Sequence, residues 1–368
     1  MRSMLVVAMA LLCAAPAAAQ APQIQNGKIE TRQASSIDRE IASINTNDPV
    51  WVAWRVPMID GERSLCCTYF SDQFTSTYPN GVRGCFAEPQ VNGVINGVAV
   101  TSNPLPAITP PTGPVRLEGG TNMVVLVRVV EKRIERVRSY SDDCPLDAGG
   151  RTVYWLEGVK PSDSLAFLDA LAHKDDVTAE MHRSFAQAAV SAMSYHRDAA
   201  ADSLLDKLAG DPEASVRRQA AQALGSKRGA AGLASLKRII ANETSPDVRV
   251  QLISSIGQNK QPGTLDTLRP FLTDTNVKAR SEALYYIALR GGGANIAEVT
   301  KAIDADSDDS VKKRGVSGIA ALPVDQSVPA LIQLAKTNAS IVVKKEAVTA
   351  LGRTKDPRAI AYLQELLK

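Results

Sequence analysis

VRRQAAQALG (residues 216–225), VRVQLISSIG (248–257), ARSEALYYIA (279–288), VKKRGVSGIA (311–320) and VKKEAVTALG (343–352) are five stretches of one chain that align almost without gaps. They recur about every 32 residues, and a fixed period of that size marks stacked supersecondary units rather than a single globule. Three columns of the alignment are apolar or small. The first holds Val216, Val248, Ala279, Val311 and Val343; four residues on stand Ala220, Leu252, Ala283, Gly315 and Ala347; eight on stand Leu224, Ile256, Ile287, Ile319 and Leu351. A spacing of 0, 4 and 8 draws one stripe along an α-helix, so these residues are expected on its buried face.

Each stretch is preceded by a second apolar segment, which includes Leu208, Ile240, Phe271, Ile303 or Ala335, and then by a short polar turn. The unit is therefore a helical hairpin. Five residues before the first apolar column the turn carries Asp211, Glu243, Asp274, Asp306 or Asn338. One residue after that column comes Arg217, Arg249, Arg280, Lys312 or Lys344. An acid-or-amide column that repeats together with a basic column predicts pairing inside each repeat, not a free cationic track for nucleic acid.

These paired columns resemble the turn acid and helix base of HEAT repeats, in particular the short bacterial type first associated with phycobilisome lyases, over roughly residues 160–368. The resemblance implies a right-handed superhelix with the second helix of each pair on the concave side. Spacing alone shows only hairpins of constant period. A more degenerate unit spans 161–197, opening at Pro161-Ser162-Asp163 with N-cap chemistry and holding Met181 to Met193 in its second helix. After Gly352, the segment from Asp356-Pro357 to Lys368 reads as a closing helix. Ile360, Leu363, Leu366 and Leu367 are expected on its inner face, covering an otherwise open end.

Upstream the period changes. Val50 to Val56, Asn122 to Val130, Arg133 to Tyr140 and Thr152 to Leu156 are short runs rich in β-branched and aromatic residues, the pattern of strands. The fold expected is thus a small disulfide-stapled β-rich domain over 20–157 followed by a mainly α solenoid over 161–368. Residues 92–114, rich in Gly, Asn and Pro, are expected to be a long surface loop. The run from Asp143 to Leu156 reads as a turn leading into a strand that abuts the first repeat. It resembles a segment of other exported bacterial HEAT-repeat proteins, a likeness that brings no activity with it.

Residues 1–19 have the form of a secretory signal: Arg2, an apolar run from Met4 to Ala15, and Ala17-Ala18-Ala19 before a cleavage point at Gln20. The expected location is periplasmic or secreted. No later apolar stretch approaches the about 20 residues of a spanning helix. Leu12 stands before Cys13 where a lipoprotein signal would have Gly, Ala or Ser. Export places Cys66, Cys67, Cys85 and Cys144 in an oxidising compartment, which predicts two disulfides. Neighbouring cysteines rarely bridge each other, so Cys66 and Cys67 are expected to reach separately to Cys85 and Cys144, in either order. A four-thiolate zinc site would show paired C-x-x-C knuckles, and these are missing.

With 42 basic and 39 acidic residues the formal charge is only +3, so charge makes no global case for nucleic acid or an anionic membrane. The three histidines, His173, His182 and His196, precede no glutamate, whereas the HEAT-repeat deoxyhypusine hydroxylases hold iron through His-Glu pairs. His182 and His196 read as helix-surface residues. Asp304, Asp306, Asp308 and Asp309 lack the glycine and final carboxylate of a calcium loop and fall where acids favour a following helix N-terminus. Gly291-Gly292-Gly293 reads as a helix terminator, and no phosphate loop, nucleophile elbow or histidine-anchored triad is present. The expectation is a non-enzyme without metal or cofactor that binds a protein or peptide. A lyase-like enzyme, by family analogy, and a redox-responsive regulator acting through the cysteines are the alternatives. With 0, 4 and 8 buried, the exposed face centres on position 6, which is Gln222, Ser254, Tyr285, Ser317 and Thr349, with Arg218, Lys313 and Lys345 beside it. Tyr285 reads either as a contact anchor or as a ring packed sideways on its neighbour.

Overall fold

Apolar runs without alternation build the centre of a sheet. The computed structural model describes residues 24–60 and 121–368, apart from 143 and 145, together with the backbone of three short strands between those segments. In chain order the first half contains β1 (Ile24–Gln33), α1 (Ile37–Ser43), β2 (Val50–Pro57), β3 (Cys85–Phe86), β4 (Gly93–Ile95), β5 (Val98–Val100), β6 (Asn122–Val130), β7 (Arg133–Ser141) and β8 (Leu146–Glu157). The main sheet has the order β1-β8-β2-β6-β7. Strands β1 and β2 lie parallel to β8, while β2, β6 and β7 pair antiparallel. Strands β2 and β6 sit between neighbours and are buried on both faces, which is why their sequences read VWVAWRVP and NMVVLVRVV. The two-residue turn from β6 to β7 puts Glu131 and Lys132 at φ 48° and 62°, the left-handed pair that suits the twist of a tight hairpin.

The four expected strands are present, and β1 and α1 precede them. A pair was also missed within 92–114, where the backbone forms the β4–β5 hairpin in place of a continuous loop. Val94-Ile95-Asn96-Gly97-Val98 carries the reason, an Asn-Gly dipeptide between apolar pairs. The signal expected at 1–19, Cys66 and Cys67 lie outside the described residues.

From Pro161 onward the chain is helical: α2 (Pro161–Ala172), α3 (Ala179–Tyr195), α4 (Ala200–Leu208), α5 (Ala214–Lys227), α6 (Gly229–Asn242), α7 (Pro246–Gln258), α8 (Thr264–Leu268), α9 (Val277–Gly291), α10 (Ile296–Ala305), α11 (Asp309–Ala320), α12 (Val324–Thr337), α13 (Ile341–Gly352) and α14 (Pro357–Leu366). All members of the three-column stripe are buried. Helix α8 passes into a 3₁₀ turn over Arg269–Thr273, where Pro270 supplies no N–H to an α-helical ladder. Gly291 closes α9 and Gly292 follows at φ 59°, as a terminator requires. Helix α2 opens with Pro161 at its first position. Its cap is Lys160, which makes no side-chain bond, so Ser162 and Asp163 fall in the first turn instead of capping it.

One core runs without a break from the sheet to α14. Trp54 of β2 donates from Nε1 to the Ser164 hydroxyl of α2 at 3.0 Å, and its ring meets Phe167 edge-on at 5.4 Å. Beyond the sheet edge, Met58 pairs with His196 in an antiparallel bridge at the end of α3. The opposite sheet face has its own buried set, including Trp51, Leu126, Cys144 and Trp155. At the far end α14 docks through Ala359 and Tyr362, while Ile360, Leu366 and Leu367 are 45%, 52% and 88% exposed. The expected inner face of this helix is thus corrected. Leu363 packs part-buried on the core as expected, beside Ala359 and Tyr362, whereas Leu366, on the same helical face but in the last turn, and Ile360 and Leu367 are left exposed.

Candidate functional site

The second helices α3, α5, α7, α9, α11 and α13 each pack directly on the next, whereas first helices such as α4 and α6 touch only sparingly. A row packed more closely than the row behind it lies on the inside of a curve, so the second helices line the concave surface. Glycine makes the close approach possible at two crossings. A β-carbon at Gly225 would collide with the Ser255 carbonyl, and one at Gly257 with the Tyr286 ring.

The turn column does one job in every repeat. Asp211, Glu243, Asp274, Asp306 and Asn338 each accept, through a side-chain oxygen, the backbone N–H two residues on, at 2.7–2.9 Å. The basic column ties repeats together. Arg280 binds both carboxylate oxygens of Asp306 at 2.7 and 3.2 Å and donates to the Asp274 carbonyl at 2.9 Å. Arg217 likewise meets Glu243, and Arg249 meets Asp274, each at 3.4 Å. This corrects the expected pairing within a repeat: each of the three arginines takes its own turn's backbone or the helix before it, and the carboxylate of the following repeat. Burial works to raise the Asp306 pKa, but the bonds from Arg280 and from the Asp308 amide hold it below its ordinary value. The ladder lapses at Lys312, because the next turn offers the neutral Asn338, whose amide donates to Asp304 at 2.7 Å. A groove of about 910 Å³ opens there, lined by Ile296, Lys312, Leu334, Asn338 and Ile341 among others.

On the inner face Arg218, Gln222, Lys313, Lys345 and Thr349 are exposed, and Ser254, Tyr285 and Ser317 are half-buried. Tyr285 packs sideways. Its ring meets Tyr286 edge-on at 5.1 Å and lies 3.7 Å beneath the Arg314 guanidinium. Arg314 pairs at 2.9 Å with Glu282, which also accepts from the Ser254 hydroxyl at 3.0 Å. Three successive inner helices thus meet in one polar cluster. Glu282 and Arg314 were missed; their signal was the position-3 column Gln219, Gln251, Glu282, Arg314 and Glu346, polar in every repeat.

The HEAT-repeat family model matches residues 233–320 and 296–368. Residues 233–368 form a HEAT-repeat array. No curated protein matches the chain. Among solved structures, human deoxyhypusine hydroxylase is 13% identical, over 56% of this chain and 90% of that one, with a TM-score of 0.32. The CpcE–CpcF complex of phycocyanin lyase from a Nostoc species is 18% identical, over 42% of this chain and 99% of that one, at 0.33. YibA of Escherichia coli is 18% identical, over 56% and 78%, at 0.35.

Within the HEAT array and its neighbouring sheet, no group of three or more His, Cys, Asp or Glu among the described residues is placed to hold a metal. No described helix is long and apolar enough to cross a membrane. The acids at 304–309 are spread over separate tasks: Asp304 accepts from Asn338, Asp306 holds Arg280, and Asp308 caps α11. His196 is not a surface residue. It is 0% exposed at the joint between the sheet and the helical region, and burial pushes its pKa down to about 4, with Arg228 adding to the effect and Asp198 opposing it. Its Nδ1 accepts the Asp198 N–H at 3.3 Å, its Nε2 is buried without a partner, and Arg228 donates to its carbonyl at 2.6 Å.

Proposed function

We propose that this chain is an exported, non-catalytic scaffold that holds a protein or peptide on the concave face of its HEAT array. The observation that carries the reading is the row of second helices, which buries one stripe of each helix and turns a line of polar side chains from separate repeats, Gln222 to Thr349, toward one surface. A surface assembled from many repeats suits an extended partner better than a small substrate. The described part of residues 20–157 covers the first hairpin through Trp54, Met58 and the β7 side of the sheet. Disulfides among Cys66, Cys67, Cys85 and Cys144 would staple that unit. In support, Cys144 is fully buried, and the backbone of β3 sets Cys85 beside Leu146, two residues from Cys144 in sequence.

Photo-crosslinking residues introduced at Gln222 or Thr349 on the inner face are expected to capture a common partner. The same probe at Gln333 on the outer helix α12 is expected to yield none. Equal capture from both faces would overturn the reading. Sequencing the N-terminus of protein from an envelope extract should begin at Gln20, and an uncleaved chain would remove the export part of the proposal. Intact mass with and without reductant should differ by the hydrogens of two disulfides. A mass unchanged on reduction would remove the staples.

A further inference from the structure

Two adjacent columns of the inner helices carry bases, and the fold treats them differently. One residue after the buried stripe begins, Arg217, Arg249 and Arg280 are consumed by the ladder. Two residues after it, Arg218, Lys313 and Lys345 are exposed and form no ion pair with a described residue. The last two stand on adjacent helices that pack directly together, α11 and α13. There the sequences Lys312-Lys313-Arg314 and Lys344-Lys345-Glu346 place five bases against one acid. Of the acids around them, Glu282 is held by Arg314 and Ser254 and Asp308 caps α11, while Asp309, exposed, stands one helical turn before Lys313 and offsets part of its charge. Glu346, half-buried, is the one acid that follows on α13.

Resting on the concave-face reading above, we infer that this end of the array takes an extended acidic peptide segment, laid across α9, α11 and α13 with carboxylates on Lys313 and Lys345. Packed helices stand about 8–10 Å apart. An extended chain rises about 3.3 Å per residue and turns every second side chain to one face, so acids two or four positions apart, about 7 or 13 Å, bracket the spacing of the two lysines, and an alternating acid sequence offers both. Nucleic acid fits less well. The column reads Arg218, Val250, Ser281, Lys313, Lys345, and two uncharged residues interrupt any track that phosphates of regular spacing would follow.

The test is fluorescence anisotropy of the full chain with a labelled twelve-residue peptide of alternating Glu and Ala. Its Lys-for-Glu counterpart and a single-stranded oligonucleotide serve as competing probes. The acidic peptide should bind at least tenfold more tightly than the basic one and than the oligonucleotide, and more weakly as salt rises. Lys313→Glu with Lys345→Glu should lose that binding by at least tenfold, Lys313→Gln with Lys345→Gln by less, and Arg218→Glu hardly at all. The glutamine pair keeps the test meaningful should the charge reversal disturb folding, which circular dichroism would report. Unchanged binding in both double variants overturns the inference, as does preference for the oligonucleotide. Should crosslinks from Thr349 still capture the natural partner of a Lys313→Glu, Lys345→Glu variant with undiminished yield, the acidic-segment inference fails while the concave-face reading stands. Loss of inner-face capture in the wild type would sink both.

Discussion

The two ends of the helical array are closed by different means. At the first hairpin a β-sheet drawn from far upstream covers α2 and α3, with Trp54 against Ser164 and Phe167 and Met58 bridged to His196. At the last hairpin a single short helix, α14, leans on its neighbours through Ala359 and Tyr362 and leaves Leu366 and Leu367 in solvent. A solenoid needs cover at both ends. The contrast shows that long-range cover welds an end into the core, whereas the next local element only screens it.

The contrast can be broken most sharply at Trp54. Trp54→Ala empties a fully buried site and strands the Ser164 hydroxyl, and should cost about 3–5 kcal/mol in chemical denaturation. Tyr362→Ala, on a terminal helix free to fray, should cost roughly half as much. Equal losses would mean that the ends are alike. Next comes acid. His196 is neutral in the folded protein down to about pH 4 but charges near 6.5 once unfolded. Between those values the unfolded state binds the extra proton, so stability is complete above pH 6.5 and falls as pH drops toward 4, by roughly 3 kcal/mol. His196→Gln should flatten that slope, and a slope unchanged in the variant would place the titrating group elsewhere. A smaller effect is expected within the ladder. Arg280→Ala removes a half-buried fork on Asp306 and should cost about 1–3 kcal/mol, seen as faster amide exchange at the start of α11. Arg269→Ala, at the more exposed pair with Glu298, should cost less than the Arg280 change, since solvent screens that pair. The smallest change is at the open end, where Leu367→Lys should shift stability by no more than about 0.5 kcal/mol.

Much of this was legible in advance because it is local or periodic. The stripe from Val216 to Leu351 needs only the helical repeat, and β2 and β6 announce themselves as unbroken apolar runs. What was missed depends on distant partners. His196 follows Ser194-Tyr195 at a helix end, a place that reads as surface, and it is buried by a strand whose Met58 lies more than a hundred positions upstream. Strand β1 is an edge strand with exposed Lys28 and Thr31, so its composition gives little sign of its parallel partner β8. The turn acids and bases were visible as columns, but two columns of equal period cannot say whether a base reaches the acid five residues before the stripe or the one a full period later. On α14 the apolar residues outnumber the places where a neighbour can cover them, so pattern alone found Leu363 but also named Ile360, Leu366 and Leu367, which stay in solvent. The inner-face cluster of Ser254, Glu282, Arg314 and Tyr285 joins three repeats, and only packing reveals it.

The rungs of the ladder are interchangeable. Arg249 grips Asp274 by the same kind of contact as Arg217 makes with Glu243, and deletion of the unit that carries Asp274 and Arg280 would bring Arg249 to Asp306 instead. Units can therefore be lost or copied whole without inventing a new joint, and an ancestor with fewer or more of them would have held together by the same means. The exception is the step from Lys312 to Asn338. A copy made there would inherit a gap, so lengthening of the array should find its easiest route through the middle and not at that seam.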